Sequence, residues 1–305
     1  MEFFSGLHPV MQSFLATLFT YGVTALGAAV GFFFKGANRR LMDGLMGFGA
    51  GVMIAASFFS LLSPAVEMCS RLGQSGWLVT GVGFLLGGDP RNFAETVESI
   101  CENYPPQCLR LLMNHIGTHD TERALTVLGG EPAGNRGREW QAAQHLSPEQ
   151  REIGLKRLRL ASLIQYLLPG VPCIYYGDEA GMEGYRDPFN RACYPWGHEG
   201  LNLLTWYKGL GQLRAQEKPV LGQGLYRTLH ADGNLLAFER FVFTETTRES
   251  LTVVVNRSSR PQSVLKAALD MEDGQLLLGE PLGTVNVLSP FGFSVTKFQK
   301  TLKKA

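Results

Sequence analysis

The chain has 305 residues, a formal net charge of +1 and a mean hydropathy of zero. Its 28 Lys and Arg residues nearly balance its 27 Asp and Glu residues and form no basic patch, so a nucleic-acid partner is not expected. The five cysteines are odd in number and include no Cys-x-x-Cys pair, which favours reduced thiols over a disulfide framework or a zinc site. We predict no cofactor and no metal.

The character of the chain changes at Gly87–Gly88. Residues 1–88 contain only seven charged side chains, about 8%, whereas the following residues reach about 22%, a value usual for globular chains. Three uncharged runs fill the first part: Val10–Phe34, Gly44–Val66 and Leu72–Gly88. Their length and their Gly, Ala and Ser content predict three transmembrane helices, so that the membrane is contacted through residues 10–88. Buried core helices are the alternative.

Residues 38–65, with the sequence NRRLMDGLMGFGAGVMIAASFFSLLSPA, resemble the second transmembrane helix of ZIP-family divalent-metal transporters. The resemblance covers residues 1–88, about the first three helices of that family. Family members hold zinc mainly on their fourth and fifth helices, with His-Asn-x-x-Glu and His-x-x-Pro-Glu segments. Neither segment occurs in this sequence, so the fragment is predicted to have no metal site.

From residue 89 the pattern is that of a soluble chain. Apolar residues at 93, 97, 100 and 101 lie on one face of a helix that Pro105–Pro106 ends. Residues 109–113 predict a buried strand, and Ser147-Pro148-Glu149-Gln150 predicts the start of a helix that ends near Leu168. Residues 171–176 predict a second strand and residues 203–217 another helix. This order is typical of βα units whose functional loops follow the strand ends.

Beyond Val220, short apolar runs alternate with turn residues. The clearest are Leu235–Phe243 and Leu251–Val255. This spacing predicts a small antiparallel β-sandwich.

The segment Asn114–Arg123, NHIGTHDTER, resembles the seventh-strand signature of the α-amylase family of glycoside hydrolases. The segment Leu168–Gly184, LPGVPCIYYGDEAGMEG, resembles the eighth strand and its loop, and residues 187–191 and 195–196 continue the match. The nearest subgroup comprises neopullulanases, cyclomaltodextrinases and α-glucosidases. The resemblance implies an α-glucan or maltooligosaccharide as ligand and a cytoplasmic parent hydrolase.

By the same resemblance, His119 would bind a sugar hydroxyl at the cleavage subsite. Asp120 would stabilise the transition state on the same ring, and Asp187 and Arg191 would bind a sugar further along the chain. Without the resemblance, Asp187 and Arg191 would be read as a local i, i+4 ion pair. Three aromatic residues, Trp196, Trp206 and Tyr207, are interpreted as packing residues.

Retaining glycosidases need a carboxylate nucleophile and a carboxylic acid about 5–5.5 Å apart. In the α-amylase family these come from the fourth and fifth barrel strands, and no Gly-Phe-Arg-x-Asp segment occurs in this sequence. Asp178 and Glu179 are a chemically conceivable substitute pair, but in the family they shape the eighth-strand loop. The chain is therefore predicted to be catalytically inactive.

Together these patterns predict a chimeric chain made from two truncated genes. Its predicted parts are three transmembrane helices (residues 1–88), the last two βα units of an incomplete (β/α)8 barrel (89–217) and a C-terminal antiparallel β-sandwich (218–305). The predicted location is the membrane, with a cytoplasmic-type C-terminal part. The alternatives are a membrane-anchored sugar-binding protein and a truncated zinc or divalent-metal transporter.

Overall fold

The computed structural model of the protein describes residues 76–264, 274–282 and 287–302, all within one unit that spans Cys69–Ala305. Its helices are α1 (Gly76–Leu85), α2 (Pro90–Asn103), α3 (Pro106–Leu109), α4 (Ala124–Gly129), α5 (Arg138–Ala143), α6 (Pro148–Leu167), α7 (Leu201–Gln216) and α8 (Lys218–Gln223). Its strands are β1 (Met113–His115), β2 (Val171–Cys173), β3 (Leu225–Asp232), β4 (Leu235–Phe243), β5 (Thr247–Asn256), β6 (Gln262–Ser263), β7 (Gln275–Gly279), β8 (Val287–Leu288) and β9 (Phe293–Thr301).

The long helix α6 begins at the capping box that the sequence predicts. The Ser147 hydroxyl accepts a hydrogen bond from the Gln150 amide at 3.2 Å, and the Gln150 side chain accepts one from the Ser147 amide at 2.9 Å. Two amides that a helix start would otherwise leave unpaired are thus satisfied. The helix runs for 20 residues and ends two residues before Pro169.

Strands β1 and β2 pair in parallel, and α6 lies between them in the chain, so the three elements form one βα crossover. The Gln165 side chain joins the two strands because it donates hydrogen bonds to the carbonyls of Asn114 at 2.7 Å and Cys173 at 2.9 Å. Both strands are shorter than predicted. The first also starts later, because the short helix α3, which Pro106 opens, and the turn after it extend over the start of the predicted strand.

The third predicted transmembrane run, Leu72–Gly88, forms no membrane-spanning helix within its described residues. Ten of these residues form α1, whose length of about 15 Å is half the thickness of a bilayer core. Phe84 and Leu85 are buried, and the Phe84 ring lies 6.2 Å from that of Phe93 in α2. The apolar character of this run therefore serves the protein core.

An arginine from the C-terminal region packs against the end of α1. The Arg257 guanidinium lies over the Phe84 ring at 4.9 Å and donates to the carbonyls of Phe84 and Gly88.

Among the described residues, no helix combines the length and apolar character that crossing a membrane requires. The predicted fold of transmembrane helices, and the membrane localisation based on it, are therefore wrong for this part of the chain. The runs Val10–Phe34 and Gly44–Val66 lie outside the described residues.

The C-terminal strands form a five-stranded antiparallel sheet in the order β3-β4-β5-β9-β7. One face of β4 carries Leu236 and Phe238 into the core shared with the helices, and the other carries Leu235 and Ala237 towards the ribbon β6–β8. Because both faces are covered, β4 is a run of consecutive buried residues. Opposite the sheet, where the sequence predicts the second layer of a sandwich, the described strands form only this two-stranded ribbon. The boundaries of the three predicted parts (1–88, 89–217 and 218–305) stay a prediction.

Shortening the Phe84 side chain tests whether α1 belongs to the folded core. We expect Phe84→Ala to lower the free energy of unfolding by about 3–5 kcal/mol, because it removes a fully buried ring and leaves a cavity. Leu86→Ala is the control, since Leu86 is 46% exposed and its loss should change stability by less than about 0.5 kcal/mol. Urea unfolding of the full chain measures both variants. Equal stability of Phe84→Ala and the wild type would show that α1 does not pack in the core.

Candidate functional site

The loops that follow β1 and β2 lie at the same end of the parallel pair, as the βα order predicts. In the first loop, the Thr121 hydroxyl accepts a hydrogen bond from the Thr118 amide at 3.0 Å, and the Thr118 hydroxyl accepts one from the Asp120 amide at 3.3 Å. These short-range bonds fold the loop into a tight turn. The turn places the side chains of His119 and Asp120 in solvent.

The structure brings the four predicted site residues together. His119 Nε2 lies 3.2 Å from Asp120 Oδ2, and the other Asp120 oxygen lies 3.9 Å from Arg191 Nη2. Arg191 Nε lies 2.9 Å from Asp187 Oδ1. Arg191 thus bridges the two carboxylates, one from each loop. The i, i+4 ion pair of Asp187 and Arg191 is present, as the simpler interpretation predicts, and the sugar-binding roles of all four residues stay predictions.

A buried asparagine joins the two loops beneath this cluster. Asn190 is fully buried in a short 3₁₀ turn, and its side-chain amide donates to the carbonyls of His119 at 2.8 Å and Thr121 at 2.7 Å. Asn190 therefore fixes the backbone on both sides of Asp120. Nothing in the sequence pattern indicates this role, because an Asn inside a Gly- and Asp-rich loop looks like an ordinary turn residue.

Arg123 and Asp178 form a buried ion pair under the same loops. Their side chains are fully buried and approach to 3.7 Å. The Arg123 guanidinium contacts the rings of both Tyr175 and Tyr176, 4.4 and 4.5 Å from their centroids, and donates to the Tyr176 carbonyl. In the sequence, Arg123 is only the last residue of the Asn114–Arg123 motif, because no local pattern shows that an arginine is buried.

Burial also changes the acidity of the Asp178 carboxyl group. Removal from water raises the pKa of the Asp178 carboxyl from 3.8 to about 7, against the opposing effect of Arg123. A side chain at Gly117 would collide with this carboxylate, so Gly117 closes over it. Asp178 consequently does not face the site, which argues against the substitute catalytic pair of Asp178 and Glu179.

The aromatic residues differ in their surroundings. Trp206 donates its indole N–H to the Ser162 hydroxyl at 2.9 Å and packs on Phe293, while Tyr207 is buried. For these two residues the packing interpretation is confirmed. It does not hold for Trp196, whose side chain is 81% exposed.

The raised pKa of Asp178 predicts a pH dependence of stability. The folded state favours the protonated carboxyl more than the unfolded chain does, so stability should fall as pH rises from about 4 towards about 7. We expect this slope to flatten in Asp178→Asn, which stays neutral at every pH. The measurement is the urea midpoint between pH 5 and pH 8. Asp232→Asn changes an exposed carboxylate whose pKa is lowered mainly by its hydrogen bond to Arg91, so it should keep the wild-type slope. A wild-type slope in Asp178→Asn would contradict the prediction.

Known proteins resemble two different parts of the chain. It is 36% identical over 193 residues to an amylopullulanase of Thermoanaerobacter thermohydrosulfuricus, covering 61% of this chain and 12% of that protein. It is 33% identical over 181 residues to a cyclomaltodextrinase of Thermoanaerobacter pseudethanolicus, covering 59% of this chain and 27% of that protein. It is also 51% identical over 85 residues to the human zinc transporter ZIP11, covering 27% of this chain and 25% of that protein. No family model matches.

Solved structures support the fold. A debranching enzyme from Nostoc punctiforme matches 72% of this chain with 45% of its own, at 21% identity and a TM-score of 0.57. A cyclic α-maltosyl-(1→6)-maltose hydrolase from Arthrobacter globiformis matches 74% of this chain with 43% of its own, at 23% identity and a TM-score of 0.54. The chain spans less than half the length of each of these relatives. Its C-terminal part contains a segment of the α-amylase family type, and the transporter similarity covers only a smaller part.

Proposed function

We propose that the α-amylase-type segment of this chain, residues 89–305, binds α-glucans at the cluster of His119, Asp120, Asp187 and Arg191. The convergence of these four side chains from two separate loops carries the proposal. The amylopullulanase and cyclomaltodextrinase relatives, whose names describe enzymes of α-glucans, support the ligand class.

The chemistry of the cluster suits a sugar. A pyranose ring presents hydroxyls that both donate and accept hydrogen bonds, and here carboxylate acceptors alternate with guanidinium and imidazole donors. Charged partners make the stronger hydrogen bonds, and the bridging Arg191 holds both carboxylates in place before a ligand arrives. Asn190 keeps the underlying backbone fixed, so little ordering is left to oppose binding.

We further propose that this chain binds glucan without hydrolysing it. Glycoside hydrolysis needs two carboxyl groups on opposite sides of the scissile bond. The family segment that would supply a nucleophile does not occur in the sequence, and Asp178 is enclosed under Gly117. Asp120 can orient a sugar, but the other carboxylate of the cluster, Asp187, is held in an ion pair with Arg191, so neither supplies the protonated acid that the reaction needs.

Isothermal titration of the full chain with maltotriose tests the binding site. We expect a dissociation constant near 1 mM, about 4 kcal/mol of binding free energy, and at least tenfold weaker binding in Asp120→Asn and Asp187→Asn. Glu245→Gln, an exposed residue in the β4–β5 turn, is the control and should bind like the wild type. Absence of heat at 10-fold that concentration, or unchanged binding in both variants, would contradict the proposed site.

Release of reducing sugar tests the lack of hydrolysis. We expect the rate with maltotriose to equal that of buffer, because no acid and nucleophile pair is present. Turnover that disappears in Asp120→Asn would show that this chain is an active hydrolase.

We also propose that the two similarities reflect two gene segments joined in one chain, since transporters and glucan hydrolases share no common part. One unassembled DNA read that crosses codons 70 to 110 tests this. We expect single molecules to carry both segments. If every read carries only one of them, the joined chain does not exist as a gene product.

A further inference from the structure

An aromatic pair lies just beyond the cluster in the same loop. The rings of Tyr194 and Trp196 are 4.6 Å apart and inclined at 53°. At 81% exposure, Trp196 is the most exposed large hydrophobic side chain in the described part of the protein. Single exposed apolar residues are common on protein surfaces and carry no meaning alone. Here the exposed Trp196 ring packs on Tyr194, and Trp196 follows Arg191 of the polar cluster in the same loop.

The backbone around this pair is held in place. The Tyr176 hydroxyl, from the loop that follows β2, donates to the carbonyl of Ala192 at 2.9 Å. The Trp196 amide donates to the Tyr194 carbonyl at 3.0 Å, and the His198 amide donates to the Pro195 carbonyl at 2.9 Å. Gly197 has a φ of +78°, a conformation that a residue with a side chain rarely adopts. The exposed indole therefore stands on a formed turn.

The distance from the cluster is short. Trp196 is five positions after Arg191, so the backbone between them spans at most about 18 Å. At the start of this stretch, Asn190 anchors it to the first loop, and Tyr176 anchors Ala192 to the segment that follows β2. A ligand that occupies the cluster and continues along the loop would reach the aromatic pair.

We propose that Tyr194 and Trp196 form a stacking platform for the glucose residue next to the one bound by Asp187 and Arg191 in a bound α-glucan. This inference rests on the proposed function and adds a subsite to it. A pyranose has a face of C–H groups and an edge of hydroxyls. The C–H face suits the electron-rich face of an indole, while the hydroxyl edge stays in water. Asp187 and Arg191 bind one residue through its hydroxyls, and the platform binds its neighbour through the ring face.

The length of the sugar gives the first test. Because the platform contacts a second residue, Trp196→Ala should weaken binding of maltotriose about tenfold and leave binding of glucose unchanged. Trp196→Phe should restore most of the lost affinity, since it returns an aromatic face. Isothermal titration of the full chain with each sugar measures the wild type and both variants. Trp196 is exposed, so the urea midpoint of the alanine variant should match that of the wild type.

Tryptophan fluorescence gives the second test. Maltotriose should change the emission of the wild type, and this change should vanish in Trp196→Ala. Trp140→Phe is the matched control, because Trp140 packs on Tyr185 and Arg136 away from the platform, and it should keep the change.

The outcomes separate the two proposals. If the wild type binds maltotriose and Trp196→Ala binds it equally well, the platform is wrong and the proposed function stands; such a result would point to a protein partner for the exposed ring. If the wild type binds no maltotriose, both proposals fail. Loss of glucose binding in Trp196→Ala would also overturn the platform, because the effect would then lie at the cluster itself.

Discussion

The buried guanidinium of Arg123 determines how the two site loops are arranged. It contacts the rings of Tyr175 and Tyr176, donates to a carbonyl of the second loop and faces Asp178. The Arg123 amide adds a hydrogen bond to the Gly184 carbonyl at 2.9 Å. Burying such a pair gains little stability, because both charges lose their hydration. Its effect is positional: Arg123 follows Asp120 by three residues, so fixing it against the second loop fixes the exposed cluster above.

Arginines also connect the helices to the C-terminal sheet. Arg240 in β4 is buried and donates to the carbonyls of Leu167 at 3.0 Å, Leu221 at 3.2 Å and Gly224 at 2.8 Å, at the ends of α6 and α8. Burial is the main reason that the pKa of Arg240 falls to about 10, so it stays charged at neutral pH. Neither helix has a basic residue in its own last turn. A cation supplied from the sheet satisfies their carbonyls and opposes the negative end of each helix dipole.

The sequence predicted what depends on neighbouring residues. The capping box at Ser147 forms because its partners are three residues apart, and the two hydrolase motifs meet because parallel strands end at one edge. It missed what depends on distant residues, such as the burial of Arg123 and the bridge made by Asn190. The transmembrane prediction failed for a related reason. Apolar composition shows that Phe84 avoids water, but the partner that covers it lies elsewhere in the chain.

The contact between Phe84 and Arg257 has a consequence for the order of events during translation. Its two residues are 173 positions apart, and Arg257 supplies donors to the end of α1. At a synthesis rate of about 5–20 residues per second, the ribosome makes Arg257 roughly 10–35 s after Phe84. Throughout that interval the nascent chain carries the apolar end of α1 without the cover that Arg257 supplies. The end of α1 is therefore a segment that a chaperone recognising exposed apolar residues would bind until Arg257 has been made.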